Sequence, residues 1–376
     1  CRSLRARVLI CFLFGVAHGM RLLDIGVALL DSFGIRQRRK QLPSLAPLSA
    51  VPREKSVTMQ LRQPLFSPEQ TDSLVPQINS LLESIMEVGK LGVWYFFDGV
   101  SSPDAASSAK RLEELGYDTL WLPETVGKNP FVLASWLLAN TSKLKLATGI
   151  ANIYHREPTV SRALQYTLAE QSGDRFMMAI GVSHKPLVEG VRKLEYGPPV
   201  ATMRNYLEQM GTAPYTAVRE ETDPLTLIAA LGPKMLELAK THTQGAHPYF
   251  TGPSHTKMAR DILGEGPLLC VEQKVILETD ADKARELARP IAKIYNRLPN
   301  YRNNWLRMGL TEDDIDNLSD RFIDETFAWG DADALRERIN EHMEAGADHV
   351  CIQPINTNGN VGELDWTCLE ALSPAG

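Results

Sequence analysis

The sequence predicts an α/β protein whose main domain is a single (β/α)8 TIM barrel. Short apolar segments alternate with longer helical segments in eight units. These units span roughly 270 residues, close to the usual size of about 250 for this fold. Strands that alternate with helices form a parallel sheet. A doubly wound open sheet is the competing architecture, but no G-x-G-x-x-G motif follows the first predicted strand, which weakens that alternative.

The composition and charge of the 376-residue chain argue against several classes of protein. Hydrophobic residues make up 44% of the chain and charged residues 23%, an ordinary composition for a soluble globular protein. A net charge of −6 argues against a nucleic-acid-binding protein, whose binding domain is usually basic. The five cysteines are scattered without a C-x-x-C pair, so neither a disulfide framework nor a metal site is predicted. Free thiols of this kind are typical of a cytoplasmic protein.

The N-terminal part of the chain differs in charge from the rest. Residues 1–62 contain 11 Lys and Arg against 3 Asp and Glu, a balance of +8, whereas the remainder has 29 against 43, a balance of −14. We therefore expect residues 1–85 to be an N-terminal extension, disordered or not native, and residues 86–376 to be the barrel domain. A real targeting segment is the alternative, because arginines precede the apolar run Val8–Ala17. That run of about ten residues is shorter than the about 20 that a membrane span needs, so membrane contact is expected only if residues 1–30 are a true anchor.

Start and stop signals bound the first four units of the barrel. Pro103 and Gly116 flank the first helix in the positions typical of helix ends, and Pro130 suits the first turn of the second helix. A loop rich in glycine and proline, Ser183–Pro199, separates the fourth strand from its helix. The predicted strands and helices are Leu91–Phe97, Asp104–Leu115, Thr119–Leu122, Pro130–Leu138, Leu144–Ile150, Thr159–Ser172, Phe176–Ile180 and Ala201–Met210.

The last four units follow the same pattern with one long interruption. Gly346-Ala347-Asp348 precedes the last strand as Gly116-Tyr117-Asp118 precedes the second, which suggests the first and last units of a closed barrel. The long interruption is a predicted helical region from Asp280 to about Trp329. The other predicted elements are Leu225–Ala230, Pro233–Thr241, Gly245–His247, Thr256–Leu263, Leu269–Leu277, Ala332–Ala345 and His349–Ile352.

Small, polar and titratable residues follow the predicted strands. In TIM barrels the active site lies at the C-terminal ends of the strands, so these residues are expected to collect at one mouth of the barrel. They are Asp98, Glu124, the run 149–158, the run 181–184, Gly232 and Pro233, His247 to Tyr249, Gln353 and Asn356.

Several of these segments together resemble the luciferase-like superfamily, and in particular its branch of coenzyme F420-dependent oxidoreductases. The resemblance covers about residues 87–356 and is specific as a set, although each segment alone is weak. The segments that carry it are Thr148–Pro158, Ser172–Phe176, Gly181–His184, Ala229–Met235, Gly245–Phe250, Leu298–Asn304 and Ala345–Cys351.

The resemblance implies a role for each of several residues in binding a coenzyme. The family has a bulge after the third strand, often with a non-prolyl cis peptide, on which the tricyclic ring rests; this corresponds to Gly149 and Ile150. Asn152 would hydrogen-bond the ring edge, and Gly181 and Ser183 would approach the side chain or phosphate of the coenzyme.

The same resemblance places a phosphate at the start of the fifth helix. The N-terminal amides after Gly232 and Pro233 could hold it. The alternatives are structural: Gly149 and Gly232 would then be ordinary glycines of strand ends and turns, and Asn152 would satisfy the local backbone of a turn.

The group that moves protons is expected to be His184 or Glu124. Histidine titrates near neutrality and suits general acid–base catalysis, and a glutamate serves if burial raises its pKa. The alternative for His184 is a surface histidine, and the alternative for Glu124 is a structural carboxylate. His247 is a third candidate. His155 and Arg156 could close over the coenzyme or form a salt-bridged loop.

Three functions remain open from the sequence. The preferred one is an oxidoreductase that transfers a hydride between coenzyme F420 and a small organic substrate. The alternative is an FMN-dependent monooxygenase of the same fold, and the third is a barrel without chemistry of its own. A homodimer is expected because the family commonly forms dimers.

Overall fold

The computed structural model describes residues 88–220, 222–358 and 363–375. The predicted N-terminal extension, residues 1–85, lies outside the described residues, and so does the predicted start of the barrel domain at residue 86. A sheet of ten strands organises the described part of the chain. Its strands are β1 Leu91–Trp94, β2 Thr119–Leu122, β3 Lys145–Thr148, β4 Ala151–Asn152, β5 Phe176–Gly181, β6 Thr226–Ile228, β7 Gly245–Ala246, β8 Leu268–Leu277, β9 Phe327–Gly330 and β10 His349–Pro354.

The sheet closes on itself as a parallel barrel, which confirms the predicted fold. Neighbouring strands pair in chain order from β1 to β8, with β3 and β4 forming two parts of one barrel strand. The last strand, β10, completes the ring because it pairs with both β1 and β8. The closing register places Gly92 opposite Cys351 and His349 opposite Cys270. Eight strand positions therefore form the barrel, and β9 pairs with the C-terminal half of β8.

Helices connect the strands and cover the barrel. Their ends follow the sequence signals: Ser101 and Asn129 cap the first two helices by accepting backbone N–H groups, and Gly116 follows the first helix with φ +81°. The helices are α1 Ser102–Glu114, α2 Pro130–Asn140, α3 Pro158–Ser172, α4 Pro199–Thr212, α5 Pro233–His242, α6 Pro253–Leu263, α7 Ala281–Tyr295, α8 Pro299–Arg307, α9 Glu312–Asn317, α10 Asp320–Thr326, α11 Ala332–Glu344 and α12 Trp366–Ala371.

Asp118 and Asp348, which end the two similar Gly-x-Asp segments, accept hydrogen bonds from the backbone at the ends of barrel strands. The Asp118 carboxylate accepts the backbone N–H of Lys90 at 2.8 Å, beside the start of β1. The Asp348 carboxylate accepts the backbone N–H of Leu269 at 2.9 Å and pairs with Arg260 at 2.6 Å. Each aspartate precedes its own strand and holds a neighbouring one, so the two segments serve equivalent positions in the barrel.

Two predictions about local structure are wrong. The region from Asp280 to Trp329 is not one helical stretch, because it divides into α7 to α10 and ends in strand β9. The short apolar run of β9 gives no periodicity that separates a strand from a helix end. The predicted loop Ser183–Pro199 contains a π-helical turn, Pro186–Val191.

Apolar side chains fill three regions. One lies inside the barrel and includes Trp94, Trp121 and Met177. The second lies between the strands and the surrounding helices, and the third is built around Phe250 and Trp305 under α7 to α10. Among the described residues, no helix combines the length and the apolar character needed to span a membrane.

Candidate active site

The segment between β3 and β4 brings together three of the predicted coenzyme-binding residues. The Gly149–Ile150 peptide is cis. The indole N–H of Trp94 donates to the Gly149 carbonyl at 2.6 Å, and a Cβ on Gly149 would lie 2.8 Å from that same nitrogen. A Cβ on Gly181 would lie 2.6 Å from Cδ1 of Ile150. Glycine is therefore required at both positions for Ile150 and Trp94 to pack as they do.

Asn152 is committed to the turn that follows the bulge. Its side-chain oxygen accepts the backbone N–H of Tyr154 at 3.0 Å, and its amide nitrogen lies 3.1 Å from Nε2 of His155. Because Oδ1 of Asn152 accepts from Tyr154, the group that faces His155 is the side-chain NH2 of Asn152. This group donates, so Nε2 of His155 accepts. The structural role that the sequence left open for Asn152 is thus present, and the residue is 1% exposed.

Glu124 lies at the centre of this turn. Its carboxylate accepts the backbone N–H of Asn152 at 2.7 Å and pairs with both terminal nitrogens of Arg156. Nδ1 of His155 lies 3.2 Å away. The Glu124 side chain is 6% exposed and the Arg156 side chain 7%. Of the two alternatives for His155 and Arg156, the structure shows the salt-bridged loop.

The environment of Glu124 does not favour a general acid. Burial raises its pKa, but the hydrogen bonds and charge of Arg156, with the Asn152 amide and His155, outweigh that effect and hold the pKa below its usual value. The raised pKa that an acid–base role required is therefore absent, and the geometry supports the alternative of a structural carboxylate.

His184 lies on the segment after β5, next to Ser183, whose φ is +56°. The residue is partly exposed, and its ring centroid lies 5.5 Å from that of Tyr301. Burial lowers the pKa of His184, although the Asn300 hydrogen bond opposes that shift. An unprotonated imidazole near neutral pH can accept a proton, so His184 keeps the chemistry predicted for it.

The segment from residue 183 to residue 199 packs against neighbouring loops at this end of the barrel. Arg192 donates to the Thr125 carbonyl at 2.6 Å. Tyr196 stacks on Tyr154 with centroids 5.7 Å apart, and the Gly197 N–H donates to the Tyr154 hydroxyl. The segment thus contacts the loops that follow β2 and β4.

Gly232 and Pro233 begin α5 as predicted, but the helix end offers few free amides. The N–H groups of Met235 and Leu236 both donate to the Gly232 carbonyl, and proline has none. A guanidinium lies close to this helix end, because Nη2 of Arg307 is 3.4 Å from the place where a Cβ on Gly232 would be. Sequence reasoning missed Arg307, which lies just beyond the family-like segment 298–304.

His247 lies in the barrel interior rather than at the mouth. It is 1% exposed and stacks on Trp121 with ring centroids 4.3 Å apart. Nδ1 lies 2.9 Å from the Cys270 carbonyl. Burial lowers the pKa of His247 to about 4, so it is uncharged at neutral pH. Its position argues against direct proton exchange with a substrate.

Three partly exposed side chains of the interior region, Phe96, Ile150 and Tyr249, follow β1, β3 and β7 at the C-terminal mouth. The Tyr249 hydroxyl donates to Oε1 of Gln353 at 3.0 Å and lies 3.1 Å from that of Tyr295. These side chains form an apolar floor with a polar edge. The sequence had placed Tyr249 and Gln353 after their strands without giving either a role.

A surface cavity of about 430 Å³ lies beside the loop after β4. It is bounded by the turn 153–158 and by α4, so His155 and Arg156 line it, but Ile150, Gly181, Ser183 and Gly232 do not. The volume therefore does not mark the floor just described.

The chain thus combines a closed parallel barrel with a bulge at Gly149 and Ile150 at the mouth. The family model described as luciferase-like monooxygenase matches residues 98–349. The chain belongs to the luciferase-like monooxygenase family. The predicted family and the predicted oxidoreductase class are thereby confirmed.

Individual relatives agree with this assignment. A Mycobacterium tuberculosis protein named as a coenzyme F420-dependent oxidoreductase is 24% identical over 326 residues, which cover 69% of this chain and 94% of the relative. The structure of the coenzyme F420-dependent tetrahydromethanopterin reductase of Methanopyrus kandleri superposes with a TM-score of 0.57 at 18% identity, covering 77% of this chain and 98% of that one.

A flavin enzyme is equally similar in fold. The oxygenating constituent of 3,6-diketocamphane monooxygenase of Pseudomonas putida, solved with FMN, gives a TM-score of 0.57 at 17% identity and covers 76% of this chain and 97% of that one. Similarity at this level extends to the fold alone.

Proposed function

We propose that the protein is a coenzyme F420-dependent oxidoreductase that transfers a hydride between the deazaflavin and a small organic substrate. The observation that carries the proposal is the apolar floor of Phe96, Ile150 and Tyr249 at the barrel mouth, which suits a planar ring. The name of the mycobacterial relative supports the deazaflavin. A bound deazaflavin would supply a ring carbon that gives or takes the hydride, and the protein would bind and orient it.

The residues present fit a ring that carries a phosphate-bearing side chain. Ile150, backed by Gly181, would contact the ring, and Ser183 would approach its side chain. Asn152, whose side chain is engaged by Tyr154 and His155, would hold the adjoining turn rather than bond the ring edge. A side chain at Gly232 would fill the space before Arg307, so glycine leaves room there for a phosphate oxygen beside a guanidinium. Pro233 fixes the start of the helix next to that space.

His184 is the residue proposed to move the proton. It is partly exposed, and burial keeps its pKa below the usual value. When a substrate is oxidised, the neutral imidazole would take the proton that leaves with the hydride. Glu124 is proposed to hold the loop that carries Asn152.

The test is a fluorescence titration of the full chain with F420 and, separately, with FMN. Tight binding of F420 with weak binding of FMN supports the proposal, and a preference for FMN favours the monooxygenase. A folded protein that binds neither would leave the barrel without the proposed chemistry. A homodimer and a cytoplasmic location stay predictions.

Gly181→Ala tests the ring position, because the added Cβ would displace Ile150, which is part of the floor. We expect roughly tenfold weaker binding, equal to about 1.4 kcal/mol. Gly190→Ala is the matched control, since no atom lies within 4 Å of the added Cβ. Equal affinities for both variants would contradict the assigned ring position.

A further inference from the structure

A fully buried ion pair lies within the barrel below the mouth. The side chains of Glu272 and Lys274 are both 0% exposed, and the ammonium lies 3.1 Å from each carboxylate oxygen. Both follow Cys270 at alternate positions of β8, the face that points into the barrel. The proposed function does not use this pair, and burial of an ion pair is by itself weak evidence that the pair stabilises the fold.

The pair holds the turn that follows β7 at two points. The backbone N–H of Phe250, whose φ is +60°, donates to Glu272 at 2.8 Å. The Lys274 ammonium lies 3.8 Å from the ring centroid of Tyr249 and 3.9 Å from that of Phe250. A bulky residue keeps positive φ only where its surroundings impose it, and such residues cluster at functional sites.

Tyr249 links the pair to the floor at the barrel mouth. Its ring is partly exposed and lies 5.1 Å from that of Trp94, whose indole N–H holds the Gly149 carbonyl. Lys274 packs against the Tyr249 ring, and Gln353 and Tyr295 hold the hydroxyl. Tyr249 is thus fixed at both its ring and its hydroxyl.

We propose that Tyr249 is a ring-contacting residue of the coenzyme site and that the Glu272–Lys274 pair is the device that positions it. The inference rests on the proposed function, because it assumes that a coenzyme ring occupies the floor. Tyr249 acts by contact, and Lys274 and Glu272 act through Tyr249. Because the two charges neutralise each other, the pair orients the ring without adding net charge to the site.

The test measures dissociation constants for F420 and FMN by fluorescence on the full-length protein, with circular dichroism to verify the fold. Tyr249→Leu removes the ring and is expected to weaken binding of the preferred coenzyme roughly tenfold. Tyr249→Phe keeps the ring and should stay within about threefold of wild type. Tyr95→Leu is the matched control, because Tyr95 is a buried tyrosine that packs between the strands and the helices, away from the floor.

The pair is tested by Glu272→Gln with Lys274→Met, which removes both charges and leaves an acceptor for Phe250. We expect roughly fivefold weaker binding, and the triple variant with Tyr249→Leu should bind within about twofold of Tyr249→Leu alone, since coupled residues are not additive. Lys274→Met alone serves if the double variant does not fold, because burial raises the pKa of Glu272 and so favours a neutral carboxyl once Lys274 is removed, and the same lack of additivity is expected.

Two results would overturn the inference while leaving the proposed function intact. One is wild-type affinity in Tyr249→Leu. The other is a triple variant whose loss equals the product of the separate losses, since the pair would then not act through Tyr249. If the folded wild-type protein binds neither coenzyme, the proposed function and this inference fail together.

Discussion

Replacing Glu124 with glutamine is expected to destabilise the protein through the loop after β4. The substitution keeps the shape of the side chain and removes its charge. It leaves the buried guanidinium of Arg156 without a counter-ion and weakens the contact with His155, while the remaining carbonyl oxygen can still accept the Asn152 N–H.

The size of the effect follows from burial. Breaking a buried ion pair by removing one partner costs about 3–5 kcal/mol, and the retained acceptor places Glu124→Gln near the low end, about 3 kcal/mol. For a domain of this size, about 3 kcal/mol lowers the Tm by roughly 5–10 °C. The matched control is Glu370→Gln. The Arg111–Glu370 pair has side chains 44% and 52% exposed, and such pairs contribute about 1 kcal/mol or less.

The assay is thermal and urea unfolding of both variants between pH 6 and pH 8. The lowered pKa of Glu124 keeps it ionised throughout, since a carboxylate with a depressed pKa loses its contribution only as the pH falls through the folded-state pKa. The difference from wild type should therefore be constant over this range. A Tm within about 2 °C of wild type, or a difference that changes with pH between 6 and 8, would refute the structural role of Glu124.

Two further predictions concern buried side chains in the barrel and under its helices. Burial lowers the pKa of His247, His255 and His349 to about 4 and that of His342 to about 3. The unfolded chain therefore binds protons more readily below about pH 6.5. Stability should fall towards pH 5 by up to about 1.4 kcal/mol per pH unit per histidine, and urea unfolding that gives equal stability at pH 7.5 and pH 5 would contradict this. Trp94→Phe leaves the buried Gly149 carbonyl without its indole donor, so we expect a loss of about 1–3 kcal/mol in urea unfolding; a loss below about 0.5 kcal/mol would mean that this hydrogen bond does not stabilise the fold.

The sequence predicted the barrel because its elements carry local signals. Strand Thr119–Leu122 matches the structure at both ends, where Gly116 and Asp118 mark the turn before it. The region after β8 was predicted less well, because its helices cover one another rather than alternating with strands. Strand β9 depends on pairing with Lys274–Leu277, a tertiary contact that a short apolar run does not reveal.

The site was predicted in part for the same reason. The grouping of Gly149, Ile150 and Gly181 came from family resemblance, and the structure places them in contact. The partner of Glu124, Arg156, lies 32 residues further along the chain, so no local spacing shows that this carboxylate is neutralised. Glu272 and Lys274 alternate along a strand as exposed charges do, and only barrel closure shows that they are buried.

The structure narrows the choice among the three candidates for proton transfer. A group that exchanges a proton with a substrate must have a free lone pair or proton at an accessible surface. The Glu124 carboxylate already accepts hydrogen bonds from Arg156 and from the backbone N–H of Asn152. His247 is buried and stacks on Trp121. His184 is partly exposed, and its lowered pKa favours the neutral form. His184 is therefore the residue that best meets this chemical requirement, which supports the proposal that it moves the proton.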